Sequence, residues 1–214
     1  MNQNALQKRL IRYQGEVEQL GFWLGRAKRA LPASDFETYC NDLRDASHIA
    51  ERLACGIRET AIDTCFVSKK QVLAQAAQVH GITIEQERDW YKIILPGLLP
   101  KKRGGSCAFI VAPLTCALAE FAECHPIERL VRCVVCFRHL YSPELPERAV
   151  RDHDNFEVKQ VLDAVADQFL VDDTGLLCTN LYTTALADRE ATEVYVMPPE
   201  SLPVWVEMHP IKAL

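Results

Sequence analysis

Leu6, Leu10, Tyr13, Val17, Leu20 and Leu24 follow one another at alternating steps of four and three, with Lys, Arg, Glu and Gln between them. That is the period of a helix with a single apolar seam. Leu31-Pro32 ends the pattern, and Ser34 with Glu37 three residues on reads as the capping box of a second helix. In that second segment Phe36, Tyr39, Leu43, Ala46, Ala50, Leu53 and Ile57 repeat the same steps. Two such helices with a short connection predict an antiparallel hairpin over about residues 3–65. Each seam is too narrow to bury everything alone, so the hairpin must pack on the rest of the chain or on a second copy. Ser68 opens a shorter helix that Gly81 closes after His80.

Past Gly81 the period changes. Trp90-Tyr-Lys-Ile-Ile-Leu95 reads as a strand stopped by Pro96-Gly97, and Pro100-Lys-Lys-Arg-Gly-Gly105 as a basic loop. Residues 113–123 suit a helix with Pro113 in its first turn. Arg129 to Tyr141 reads as a long strand, Asn155 to about Phe169 as a helix, and 175–182 and 192–197 as two more strands joined by a polar loop over 185–191. The tail from Pro198 holds four prolines and is expected to drape over the surface, anchored by Trp205. The fold class is therefore α+β: a helical module over 1–82, a domain over 88–200 with a small mixed sheet and two helices, and a tail over 201–214.

Composition narrows the class. The 214 residues are 49% hydrophobic and 25% charged, as in ordinary globular chains. No apolar run approaches the roughly 20 residues that span a bilayer, and the first residues lack the apolar core of a signal peptide. A cytoplasmic protein with no membrane partner is expected. Nine cysteines, mostly flanked by apolar residues, read as buried thiols of a reducing compartment. Cys133-Val-Val-Cys136 lies in a predicted strand, where positions three apart face opposite sides, unlike a zinc-binding turn. The net charge of −5 argues against a uniformly basic nucleic-acid coat but allows a local basic patch.

The chemistry concentrates late in the chain. Asp152, Asp154, Asp163, Asp172 and Asp173 fall within one short stretch, interleaved with Asn155 and Lys159. Carboxylates repel one another, and such a cluster suits a hard cation with oxygen ligands. In an extended segment Asp152 and Asp154 share a face while His153 points away. A structural account stands beside this one. Asp154 and Glu157 form a capping box, Lys159 and Asp163 a solvated pair four apart, and Asp172-Asp173 a turn.

The sequence Asp152-x-Asp154-Asn155, then Lys159, Asp163 and Asp172-Asp173, resembles the motif of the RusA family of Holliday junction resolvases. The likeness covers about residues 90–200 and extends to layout. A strand runs into a proline-rich loop, a helix and a strand lead to the Asp-x-Asp, and two strands follow the Asp-Asp. The first 80 residues have no counterpart in the family's minimal form. One residue more than usual separates Asn155 from Lys159, which turns the lysine by about 100° on an ideal helix.

The resemblance implies a Mg²⁺-dependent (or Mn²⁺-dependent) endonuclease, a hydrolase that acts as a homodimer on branched or duplex DNA in recombination, repair or mobile-element transfer. Asp152, Asp154 and Asp173 would be its metal-binding carboxylates and Lys159 the cation facing the phosphate. Asn155, Asp163 and Asp172 would support them. Such ions lower the pKa of a bound water and clamp the oxygens of an in-line displacement. Lys101, Lys102 and Arg103 are the candidate contacts to the DNA backbone. The alternative is a catalytically degenerate RusA-like domain serving as a DNA-binding or protein-interaction module, with the N-terminal hairpin available to a protein partner.

Overall fold

The computed structural model describes residues 3–65, 68–102, 107–144 and 150–210. They form two compact units, Met1–Val72 and Leu73–Leu214, so the division falls inside the third helix. The class is α+β: among the described residues there are six α-helices and one five-stranded mixed sheet.

The first unit is a helical hairpin. Helix α1 runs over Gln3–Ala30 and α2 over Phe36–Thr64. The cap of α2 sits one residue later than the expected Ser34. Asp35 accepts a hydrogen bond from the Thr38 amide at 3.1 Å, and Ser34 turns the chain at φ +59°. The seam is also rotated from the expected one. Leu6, Tyr13 and Leu20 turn inward with Tyr39, Ala46 and Leu53, whereas Leu10, Val17, Leu24, Phe36, Leu43 and Ile57 remain exposed. Polar residues take the places between. The Tyr13 hydroxyl reaches the Gly56 carbonyl at 2.6 Å and Thr60 at 2.8 Å, and ion pairs join Arg9–Asp63, Glu16–Arg52 and Arg26–Asp42. Glycine at 56 permits this approach, because a Cβ there would stand 3.0 Å from the Tyr13 ring.

Helix α3 (Lys69–His80) is opened by Ser68, whose hydroxyl accepts from the Gln71 amide at 3.2 Å. Gly81 closes it at φ +71°, in the left-handed region that glycine enters freely. The second unit is built on strands β1 (Thr83–Glu87), β2 (Trp90–Leu95), β3 (Cys133–Tyr141), β4 (Cys178–Leu186) and β5 (Ala191–Met197). Their order is β1-β2-β5-β3-β4, with β1 and β4 at the edges. All neighbours are antiparallel except β3 and β4, which run parallel with Cys133 opposite Cys178 and Tyr141 opposite Leu186. A parallel pair needs a crossover, and helix α5 (Lys159–Phe169) supplies it.

One face of the sheet carries Ile93, Leu95, Val135, Phe137 and Val194 against α4 (Ala108–Cys124) and α5, whose Leu114, Leu118, Val165 and Phe169 are fully buried. The other face carries Trp90, Val134, Cys136, Tyr195 and Met197. Because both faces are covered, β3 and β5 are buried almost throughout and read as largely apolar runs, interrupted by Arg138-His139 and Thr192-Glu193, rather than as alternating ones. Cys133 and Cys136 consequently belong to cores on opposite faces.

Several expected boundaries move. Pro113 lies inside α4 rather than in its first turn. β3 begins at Cys133, because Leu130 is held instead by an isolated bridge to Leu170. The proline-rich tail is ordered as a 3-10 turn (Pro199–Ser201) and helix α6 (Leu202–Met208), with Trp205 buried beside Tyr195. Pro203 falls in the first turn of α6, where its missing N–H has no helical partner to lose. Among the described residues no helix is long and apolar enough to cross a membrane.

Candidate functional site

The crossover decides where the acidic residues go. Strand β3 rises to Tyr141, the chain returns at Arg151, and α5 then descends, so that β4 starts again at the bottom. Asp152 and Asp154 stand at the upper end, and Asp172 and Asp173 at the lower one, next to Cys178. The Asp173 charge helps to raise the thiol of Cys178, after burial, the larger cause. Between the two ends lie the 11 residues of α5, about 16 Å of helix. The structure therefore does not bring Asp173 to Asp152 and Asp154. Among the described residues no three His, Cys, Asp or Glu side chains are grouped to hold a metal ion.

The upper end also differs locally from expectation. Residues 153–155 form a 3-10 turn, and α5 begins only at Lys159, so Asp154 does not cap that helix and Asn155 is not its N-terminus. At three residues per turn, Asp152 aligns with Asn155 and not with Asp154. The Asn155 amide bonds back to the Asp152 carbonyl at 3.0 Å. Lys159, about three-quarters exposed, pairs with Asp163 at 3.1 Å. Asp172 accepts from the Thr174 amide at 3.1 Å, as a turn residue does. The Lys159–Asp163 pair and the Asp172 turn are the structural roles that their sequence context allowed, whereas the capping box of Asp154 and Glu157 does not form.

Other features of this end were not legible in the motif. The basic loop is fastened to the acidic turn. The Lys102 amide donates to the Asn155 carbonyl at 2.8 Å and the Glu157 amide to the Pro100 carbonyl at 2.9 Å, with a bridge between Lys101 and Phe156. Arg151 ties in from the other side, its guanidinium on the Leu99 carbonyl at 2.8 Å and its amide on the Tyr141 hydroxyl at 3.0 Å. Lys101 and Lys102 are exposed, as are Asp152, His153, Asp154 and Asn155. Arg103 lies outside the described residues.

Beneath the turn sits His139, fully buried, with Phe156 stacked on its ring at 3.8 Å. Burial pushes its imidazole down to about 4, and the charges of His153 and Arg151 add to the effect. Its Nδ1 approaches the Thr192 hydroxyl at 3.4 Å, while His153 Nε2 meets the Thr184 hydroxyl at 3.0 Å. The turn is thus clamped to the upper rim of β3, β4 and β5 by aromatic and hydroxyl contacts.

A second polar group lies on the opposite face of the sheet. Glu193 accepts from Arg138 at 2.8 Å and from the Tyr195 hydroxyl at 3.0 Å, with Lys92 at 3.4 Å. Burial would raise this carboxyl, but the Arg138 bond and the Lys92 charge outweigh it and hold the group below its usual range. Burial and the Glu193 charge together raise the Tyr195 phenol. The signal in the sequence was one charged residue in each of three apolar strands. The closed set of partners reads as structural.

The chain matches the family described as Family of unknown function (DUF6100) over residues 2–213, and it belongs to that family. No curated protein matches it.

Proposed function

We propose that the second unit is a RusA-like DNA-binding domain that grips the phosphate backbone at its upper rim, and that it lacks a three-carboxylate metal centre within one chain. The observation that carries this reading is the fastening of the Lys101-Lys102 loop to the Asp152–Glu157 turn. It fixes two exposed cations beside the motif that carries the resemblance. The element order supports the RusA likeness: strand, proline loop, helix, strand, acidic turn, helix, Asp-Asp, two strands. The separation of Asp173 from Asp152 and Asp154 by α5 favours binding over cleavage. Lysines at such a rim act on nucleic acid without reading sequence, through counterion release.

Binding to a synthetic four-way junction and to a plain duplex, followed by fluorescence anisotropy across a salt series, tests the proposal. The double variant Lys101→Ala/Lys102→Ala is expected to bind more weakly and to lower the salt slope by about 2. An unchanged slope and affinity would refute the assignment of this rim.

The second reading is Mg²⁺- or Mn²⁺-dependent cleavage, and the exposure of Asp152 and Asp154 beside the two lysines favours it. Junction cleavage by the wild-type chain that Asp154→Asn abolishes would establish that reading and remove the non-catalytic one. Equal signals from the two proteins would leave binding as the function.

A further inference from the structure

The hairpin buries Asp42 and Thr60 together with Tyr13, Ile49, Leu53 and its alanines, and it leaves many larger apolar side chains exposed; apart from Ile11 and Phe22, those fall in regular rows. On the α1 side, Leu10, Val17, Leu24 and Leu31 recur every seven residues, each between 47% and 58% exposed. On α2, Phe36, Leu43, Ala50 and Ile57 recur at the same interval; the three larger ones are 36% to 62% exposed and Ala50 is half-buried. The contacts Tyr13–Gly56, Glu16–Arg52 and Arg26–Asp42 fix the antiparallel register. That register sets Leu31 level with Phe36, Leu24 with Leu43, Val17 with Ala50, and Leu10 with Ile57.

The two rows lie on the same side. Each is set about 40–60° round from the inward row of its own helix (Leu6, Tyr13 and Leu20, or Tyr39, Ala46 and Leu53), in the same sense when viewed from its own N-terminus. Antiparallel helices bring that common sense to one flank of the hairpin. Four apolar layers, two residues wide, therefore run the length of α1 and α2. The next row outward reads Gln14, Gly21, Cys40, Ser47 and Ala54, small or uncharged, with Lys28 near one end. Depletion of charge is the compositional mark of an interface core.

We infer that this flank is the surface on which a second copy of the chain packs, face to face, to complete a four-helix bundle. The apolar area it leaves open is about 700 Å² per chain, close to the ~800 Å² per partner of a standard specific interface. A seven-residue repeat is the period at which helices keep one stripe turned toward a partner as they supercoil. A two-fold axis matches the face to itself, so each copy offers the four layers that the other needs. Gly21, whose added Cβ would meet nothing within 4 Å, leaves room for close approach at mid-length.

The test is the mass of the full chain in solution, by sedimentation or light scattering at about 50 µM, well above the micromolar Kd of a weak specific dimer. The wild type is expected at twice the chain mass. Leu24→Glu/Leu43→Glu is expected at the chain mass with its helical circular dichroism retained. Gln19→Glu, exposed on the opposite flank of α1, is expected to stay dimeric. A monomeric wild type, or a dimer indifferent to the double variant, would overturn the inference. Should the glutamates unfold the hairpin, Leu24→Ala keeps a strong helix former and is expected to raise the dimer Kd about tenfold or more. An unchanged Kd for Leu24→Ala would count equally against it.

Discussion

The hairpin and the sheet unit solve the problem of burial in opposite ways. Around the sheet, Ile93, Phe137, Val194 and Phe169 are sealed from water on one face and Tyr195, Met197 and Trp205 on the other. Charge enters there as the Glu193–Arg138–Lys92 set, with Glu87 on its outer side. Between α1 and α2 the buried positions include Asp42 and Thr60 beside Ile49 and Leu53, and several long aliphatic side chains, Leu10, Val17, Leu24 and Ile57 among them, face outward. A sheet covered on both sides completes its core within one chain. Two helices share only one seam, and here that seam is given partly to ion pairs. The difference shows that helical periodicity locates an amphipathic segment without saying which of its apolar rows meets the near neighbour.

Mutations can break this contrast or sharpen it. The largest effect is expected in the sheet unit. Phe169→Ala removes a fully buried ring tilted against Tyr91 at 4.4 Å, and should cost about 3–5 kcal/mol in denaturant unfolding. A loss below about 1 kcal/mol would mean that the core is looser than described. Next comes pH. His139 titrates near 4 in the folded state against 6.5 for the free group, so the unfolded chain takes up the proton first as acid is added. Stability should be full above pH 6.5 and fall by on the order of 3 kcal/mol as pH drops toward 4. His139→Phe should flatten that limb in equilibrium unfolding. The Glu193 carboxyl, held below its usual range, acts in a lower window. Its contribution is present above about pH 4.5 and is lost as pH falls through the folded value.

In the hairpin the expected effects are smaller. Tyr13→Phe keeps the ring packing and deletes the bonds to Gly56 and Thr60, a loss of about 1 kcal/mol that helical circular dichroism in urea would register. A loss like that of Phe169→Ala would erase the contrast. Smallest of all, Lys159→Ala removes an exposed pair with Asp163 and should change stability by only a few tenths of a kcal/mol. A much larger change would give that lysine contacts beyond Asp163.

Periodicity and turn residues located α1, α2, α3, β2 and the strands around the acidic turn, because each is long or strongly patterned. Thr83–Glu87 escaped, since Ile84 is its single aliphatic residue and its pairing with β2 is a property of the partner. The tail escaped for a different reason. Four prolines suggest an extended chain, yet Pro203 sits where a helix tolerates it, and the burial of Trp205 settles the matter. At the candidate site, residue types were legible and their placement was not. Spacing alone could not reveal that α5 would hold Asp152 and Asp173 at opposite ends of a parallel pair. Nor could it show that Lys102 and Asn155, 53 positions apart in the sequence, would bond through their main chains.

The polarity that concealed β1 has its own consequence. An edge strand exposes a row of unpaired amides and carbonyls, which is a template for another chain's strand. Here the first edge alternates Glu85 and Glu87 with Gln86, and the other edge, β4, carries Thr179, Asn180, Thr183 and Thr184. Strands this hydrophilic add poorly to copies of themselves, because stacking would set like charges opposite one another or strand hydroxyls away from water. The apolar runs of β3 and β5, which would aggregate readily if laid bare, are kept in the interior of the sheet with a polar strand outside them on each side.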